Sequence, residues 1–342
     1  MEESLRSKFI GTVLGAAVGD ALGKSVEDLT EEEVIEFYGD RITDFVSPHP
    51  SSPAYGQLPE ETSDETTIFR LLLESLVEKK GLDIKDFLNR LIDWYDREET
   101  HRYPDPMLLT AIDLLSRGIN PSSHGLVSSS VEGVLRSVAM GLFHYYNPEL
   151  AVEGAKVVSL LTHRGHVISD ASALLSAAIA HLVRGDFYLE DFRERIRFLD
   201  TLKGYLNSEN NKKVLDRIGD LVVESADLDT AIMTLGNGTF AFESLPLAIY
   251  IFLSNIENPQ EALLQAVNSY GDFGGDTDSI GFLVGAMIGA YYGEEAIPYH
   301  LRENVENSRK LRELAEKLYE IVEKQVNFTE NKAGKPPPVM GE

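Results

Sequence analysis

Apolar positions along this chain recur at helical spacing. Period-2 alternation is nearly absent, while capping residues return roughly every fifteen to twenty-five positions. The pattern predicts a helix through 9–23 and a short one over 30–38, where Thr30 and Glu33 stand at capping-box spacing. A further helix is expected after the polar run 60–67. Others are expected over 83–97, 107–117, 130–146, 149–162, 167–184, 188–206, 244–255, 259–270 and 299–325, with an apolar helix after residue 281. Proline and glycine make 46–62 a loop, and EETHRYPDP reads as an exposed linker. The expected fold class is all-α: one compact multi-helix domain over 1–327, followed by a disordered tail over 328–342.

Glycines give the pattern a second layer. Gly11, Gly15, Gly19 and Gly23 recur every four residues and form a slowly drifting ridge on one helix face. Gly285, Gly289 and Gly293 repeat the device. Each glycine costs about 1 kcal/mol against alanine in a helix interior, so something must compensate. Close approach of two central helices would do so. Asp20 interrupts the first apolar run and needs a buried partner, a backbone group or an arginine. Glu27 follows just beyond the helix end.

The bulk numbers narrow the function. With 342 residues and 43% hydrophobic content, the chain can bury a substantial core. No stretch reaches the roughly 18 uninterrupted apolar residues of a membrane span. Met1–Lys8 has mixed charge and lacks a secretory apolar region. Cysteine is absent, which removes disulfides and thiolate metal sites. A formal net charge of −25 argues against nucleic acid as a partner and favours divalent cations. The expectation is a cytoplasmic monomer with no membrane contact.

Two local stretches carry candidate chemistry. Residues 271–281, GDFGGDTDSIG, set Asp276, Thr277, Asp278 and Ser279 at the start of an apolar helix. Glu60-Glu61-Thr62-Ser63-Asp64-Glu65-Thr66-Thr67 repeats the arrangement earlier. Helix capping alone accounts for some of these residues. It does not account for acids this dense, which repel unless a cation sits between them. Carboxylate and hydroxyl oxygens suit hard dications such as Mg²⁺ or Ca²⁺. The spacing rules out an EF-hand, because Ile280 and Met287 fall where ligands are required. Elsewhere the polar loop 118–130, with Ser128, Ser129 and Ser130, precedes a helix and could hold phosphate. His163 and His166 flank an Arg-Gly turn. Gly236-x-Gly238 matches a dinucleotide fingerprint only loosely, with no strand before it.

Taken in order, five blocks resemble the ADP-ribosylglycohydrolases, including the dinitrogenase-reductase-activating glycohydrolases. They are Gly15-x-x-x-Gly19-Asp20-Ala21-Leu22-Gly23-x-x-x-Glu27, Ser63-Asp64-Glu65-Thr66, Leu161-Thr162-His163, the 236–238 loop leading to Glu243-Ser244-Leu245-Pro246, and Gly274-Gly275-Asp276-Thr277-Asp278-Ser279. The resemblance spans about residues 6–300. It implies an orthogonal helical bundle around two divalent cations, Mg²⁺ or Mn²⁺, held by Ser63, Asp64, Glu65, Asp276, Asp278 and Ser279. Thr66 would cap the helix behind the first group. The implied activity is hydrolysis of the bond between ADP-ribose and a protein side chain or small acceptor. Glu27, Asp64 or Glu65 would serve as the base. Ser128, Ser129 and Ser130 would hold the diphosphate, Gly236 and Gly238 would also bind the substrate, and His163 would contact the ligand near the ribose. Here Glu65 stands for the family's second aspartate, Ser63 and Ser279 stand for threonines, and Glu132 puts an acid near the expected diphosphate. A non-catalytic binding member and a two-metal hydrolase of another nucleotide are the alternatives.

Overall fold

The computed structural model describes residues 2–119 and 126–333, and every regular element among them is helical. The first helices are α1 (Glu2–Gly23), α2 (Glu31–Tyr38), α3 (Asp64–Lys79), α4 (Ile84–Tyr95), α5 (Pro106–Ser116), α6 (Glu132–Leu135), α7 (Ser137–Phe143) and α8 (Pro148–Leu160). There follow α9 (His166–Arg184), α10 (Phe192–Lys203), α11 (Glu209–Glu224), α12 (Leu228–Leu235), α13 (Ala241–Ser254), α14 (Pro259–Val267), α15 (Thr277–Tyr292), α16 (Tyr299–Asn304) and α17 (Ser308–Ala333).

The glycine ridges meet as expected. A Cβ on Gly19 would lie 1.9 Å from the Gly281 carbonyl oxygen, and one on Gly15 2.2 Å from that of Gly285. Bare backbones therefore touch along the α1–α15 crossing, and any side chain there would force the helices apart. Both helices are apolar on nearly every side, which is the mark of a central position. α9 is likewise buried along most of its length. The stretch Ser4–Val26 and α9 have the length and apolarity of membrane-crossing helices, yet both lie mostly inside the protein.

Several boundaries differ from the pattern. α2 carries the full Thr30–Glu33 capping box, but the helix expected over 130–146 breaks at Arg136 into α6 and α7. The one expected over 299–325 breaks at Val305–Asn307, where Asn307 takes a left-handed φ of 57°. α11 and α12 were not predicted. The opening of α11, Glu209-Asn210-Asn211-Lys212-Lys213, is so polar that it hides the stripe Leu215, Ile218, Leu221 and Val222. α13 starts at Ala241 rather than 244. α17 continues through Phe328 to Ala333, and the rest of the expected tail lies outside the described residues. The EETHRYPDP segment is exposed at Glu98–Thr100 and Pro106 only: residues 101–104 are half-buried, Asp105 is buried, and this middle part folds back over the acids described next.

Candidate active site

The first acidic block is shaped by α1. Asp20, fully buried, accepts the Ser63 amide at 3.0 and 3.1 Å and the Thr66 amide at 3.3 Å, and Thr66 Oγ1 also donates to it. Ser63, not Thr66, caps α3, its hydroxyl accepting from the Glu65 amide at 3.2 Å. Thr66 instead spends its hydroxyl on Asp20. Asp64 Oδ2 accepts the Arg102 amide at 2.6 Å.

The second block is held by a residue that the motifs passed over. Asn237 Nδ2 donates to the carbonyls of Ser269, Tyr270 and Gly274 at 2.8, 3.0 and 3.1 Å. Its own carbonyl accepts the Asp276 amide at 2.8 Å. Gly274 has a φ of 85°, and a Cβ there would meet the Asp28 carbonyl oxygen at 2.7 Å, so the turn needs glycine. Thr277 Oγ1 donates to the Gly23 carbonyl at 2.8 Å, tying α15 to the end of α1.

The two blocks meet. Ser279 Oγ donates to Glu65 Oε1 at 2.7 Å. Asp20, Glu65 and Asp278 each place an oxygen within 4.8 Å of the other two, and so do Glu27, Asp276 and Asp278. Asp278 belongs to both groups. Glu27 Oε2, Asp64 Oδ1, Glu65 Oε2 and Asp276 Oδ2 are buried without a hydrogen-bond partner. Buried carboxylate oxygens of this kind are costly unless something binds them. Burial first, and like charge second, pushes Glu27, Glu65 and Asp278 well above the usual carboxylate range. The same causes raise Asp20 to about 7, and burial raises Asp64 to about 6. Two nearby cations are already committed. Lys24 Nζ, lowered to about 8 by burial, donates to the carbonyls of Leu58 and Pro59. The Arg102 guanidinium donates to Glu306 and to the Thr62 carbonyl.

A cavity of about 260 Å³ opens onto this cluster. Glu27, Ser63, Asp64, Glu65, Asp276 and Asp278 line one side, with Tyr103, Ser130, Glu132 and Thr239 also on its wall. Ser128 and Ser129 lie on the same segment as Ser130. Ser128 Oγ accepts the Ser130 amide at 3.1 Å, and the Ser129 carbonyl accepts the Ala241 amide at 2.8 Å. Residues 120–125 of the serine loop lie outside the described residues. His163 is fully buried behind Asp105. Its Nε2 lies 2.7 Å from Asp105 Oδ2, and its Nδ1 2.8 Å from Thr162 Oγ1, which Arg136 Nη2 contacts in turn at 2.9 Å. Gly236 and Gly238 wrap the side chain of Glu243, with the Gly238 amide donating to Glu243 Oε2 at 3.2 Å. Arg102, Tyr103, Asp105, Asn237 and Thr239 escaped the sequence reading. Asp105 carries a local signal, capping α5 just ahead of Pro106, whereas the contacts of Arg102, Tyr103 and Asn237 are long-range and no local pattern marks them.

A family model described as ADP-ribosylglycohydrolase matches residues 1–327. The chain belongs to the ADP-ribosylglycohydrolase family. It is 32% identical to an uncharacterized protein of Archaeoglobus fulgidus, covering 95% of this chain and 100% of that one. It is 26% identical to the ADP-ribosylhydrolase ARH3 of Homo sapiens, over 93% of this chain and 94% of the relative. The ADP-ribosylarginine hydrolase Tri1 of Serratia proteamaculans is 22% identical, over 93% and 80%. A solved structure titled ADP-ribosylglycohydrolase-related protein complex superposes with a TM-score of 0.69 at 22% identity, over 94% of this chain and 99% of that one, and shares the fold.

Proposed function

We propose that this family member is a dication-dependent hydrolase that cleaves the C1 glycosidic bond of ADP-ribose joined to a protein side chain or small acceptor. One observation carries the reading: two acidic triads from distant segments share Asp278, and four buried carboxylate oxygens in and beside them lack a partner. Oxygen-only donors at this density suit two Mg²⁺ or Mn²⁺ ions. Ser63, Asp64, Glu65, Asp276, Asp278 and Ser279 would hold them, with Asp20 and Glu27 completing the triads. Bound dications supply Lewis acidity and a template for ribose hydroxyls.

The protein's own residues supply the rest. Glu27 and Asp64 each keep an unpartnered oxygen and line the cavity, so either can take the proton of an attacking water. Glu65 meets the same conditions, its other oxygen held by Ser279 as that of Asp64 is held by the Arg102 amide. The surrounding carboxylates stabilise positive charge developing at C1. Ser130 and Thr239 offer hydroxyls to the ligand from the cavity wall. His163 positions Asp105 rather than reaching the ligand itself. The names of ARH3, an ADP-ribosylhydrolase, and Tri1, an ADP-ribosylarginine hydrolase, support the substrate class. The test is release of ADP-ribose from arginine-, serine- and acetyl-linked substrates in Mg²⁺ or Mn²⁺. Release from at least one is expected. Silence on all three by a protein with metal bound would contradict the reading.

A further inference from the structure

The segment joining α4 to α5 reaches into the acids at three points. The Arg102 amide donates to Asp64 at 2.6 Å, Tyr103 Oη donates to Asp278 Oδ2 at 3.4 Å, and the Asp105 amide donates to Glu132 Oε2 at 3.2 Å. Its three targets sit on three elements: the start of α3, the start of α15 and α6. Arg102 anchors the segment from outside through Glu306 and the Thr62 carbonyl.

Tyr103 itself has a φ of 50°. A bulky residue is uncommon in that region, and such conformations persist only where the surroundings impose them. The outcome is a phenol lodged on the cavity wall with its hydroxyl on Asp278. Asp278 is the residue both triads share. Its Oδ1 accepts the Ser279 amide at 2.8 Å, and its Oδ2 accepts the Tyr103 hydroxyl.

We infer that Tyr103 is a positioning residue for the proposed cation pair, holding Asp278 Oδ2 in the orientation that lets one carboxylate serve both triads. This rests on the dication-dependent reading above. Nothing in the local sequence around Tyr103 marks it for that task; only the fold brings it to Asp278.

The test uses the full chain titrated with Mn²⁺, read by calorimetry and by electron paramagnetic resonance at two equivalents. Wild type should bind two ions and give an exchange-coupled spectrum. Tyr103→Phe removes only the hydroxyl. It should keep its melting temperature, weaken the second Mn²⁺ by about threefold to tenfold, as expected for one long hydrogen bond to a charged group, and lose the coupled signal. A Tyr103→Phe protein with the wild-type isotherm and coupled spectrum would overturn the inference, even if it melts lower, because the phenol would then serve stability alone. Wild type that binds no Mn²⁺ would remove the functional reading and this inference together. The two failures are thus told apart by the wild-type titration.

Discussion

Ser279 Oγ donates to Glu65 Oε1 at 2.7 Å, joining residues 214 positions apart in the chain. Neither block could assemble the acid cluster alone. α1 makes the junction possible: its glycines admit α15 at backbone contact, Asp20 fixes the start of α3, and Gly23 accepts from Thr277. The scaffold and the site are therefore one construction, with a cluster of uncompensated charge at its centre. Such a cluster strains the fold unless a cation neutralises it.

That strain has a pH signature. Asp20 is raised to about 7 and Asp64 to about 6, with Glu27, Glu65 and Asp278 higher than usual as well. Acids raised on folding contribute stability that is present below their unfolded values and lost as pH rises through the folded ones. The chelator-treated protein should therefore melt lower at pH 8 than at pH 5, by on the order of 5 °C. Added Mg²⁺ should raise the melting temperature more at pH 8, because its ligands must be deprotonated. Calorimetric scans at both pH values, with and without Mg²⁺, check this; a shift from Mg²⁺ that is equal or larger at pH 5 would count against it.

The helix crossing gives a stability prediction. A Cβ at Gly19 would overlap the Gly281 carbonyl oxygen. Gly19→Val should destabilise by about 3 kcal/mol or more, beyond the gain in helix propensity. Gly81, with open space around it, is the control. Urea unfolding midpoints of Gly19→Val and Gly81→Ala measure the contrast.

Asn237 acts on the site through the loop it braces. Asn237→Ala leaves three carbonyls without their donor, and the turn leading to Asp276 loosens. Dication affinity should fall about tenfold, with a loss of stability of about 1–3 kcal/mol. Mn²⁺ calorimetry and thermal melts on the same variant report the two effects separately.

Lys24 is the buried cation beside the first acidic block. Lys24→Met would orphan the Leu58 and Pro59 carbonyls and remove a positive charge that faces Asp20 and Glu61. The expected loss is about 3 kcal/mol, read from urea unfolding.

The sequence disclosed the parts of this design that are written locally. A four-residue glycine period announced the α1–α15 crossing, and two runs of acids ahead of apolar helices announced the cluster. The helical class followed from spacing alone. Tyr103 and Arg102 were hidden because their partners lie 175 and 38 residues away, inside a segment whose composition reads as a solvated linker. His163 was visible as a residue but not as a buried one, since the groups packed against it, Asp105 and the backbone at Gly133, come from other elements. The helix breaks at Arg136 and Asn307 were missed because neither falls at a proline or glycine.

The most direct measurement is a Mn²⁺ titration of the chelator-treated wild type beside Glu65→Ala and Asp278→Ala, one substitution in each acidic block. Two bound ions are expected in wild type, one in Glu65→Ala, whose substitution breaks a single triad, and none in Asp278→Ala, which removes the residue both triads share. An isotherm left unchanged by either substitution would contradict the account.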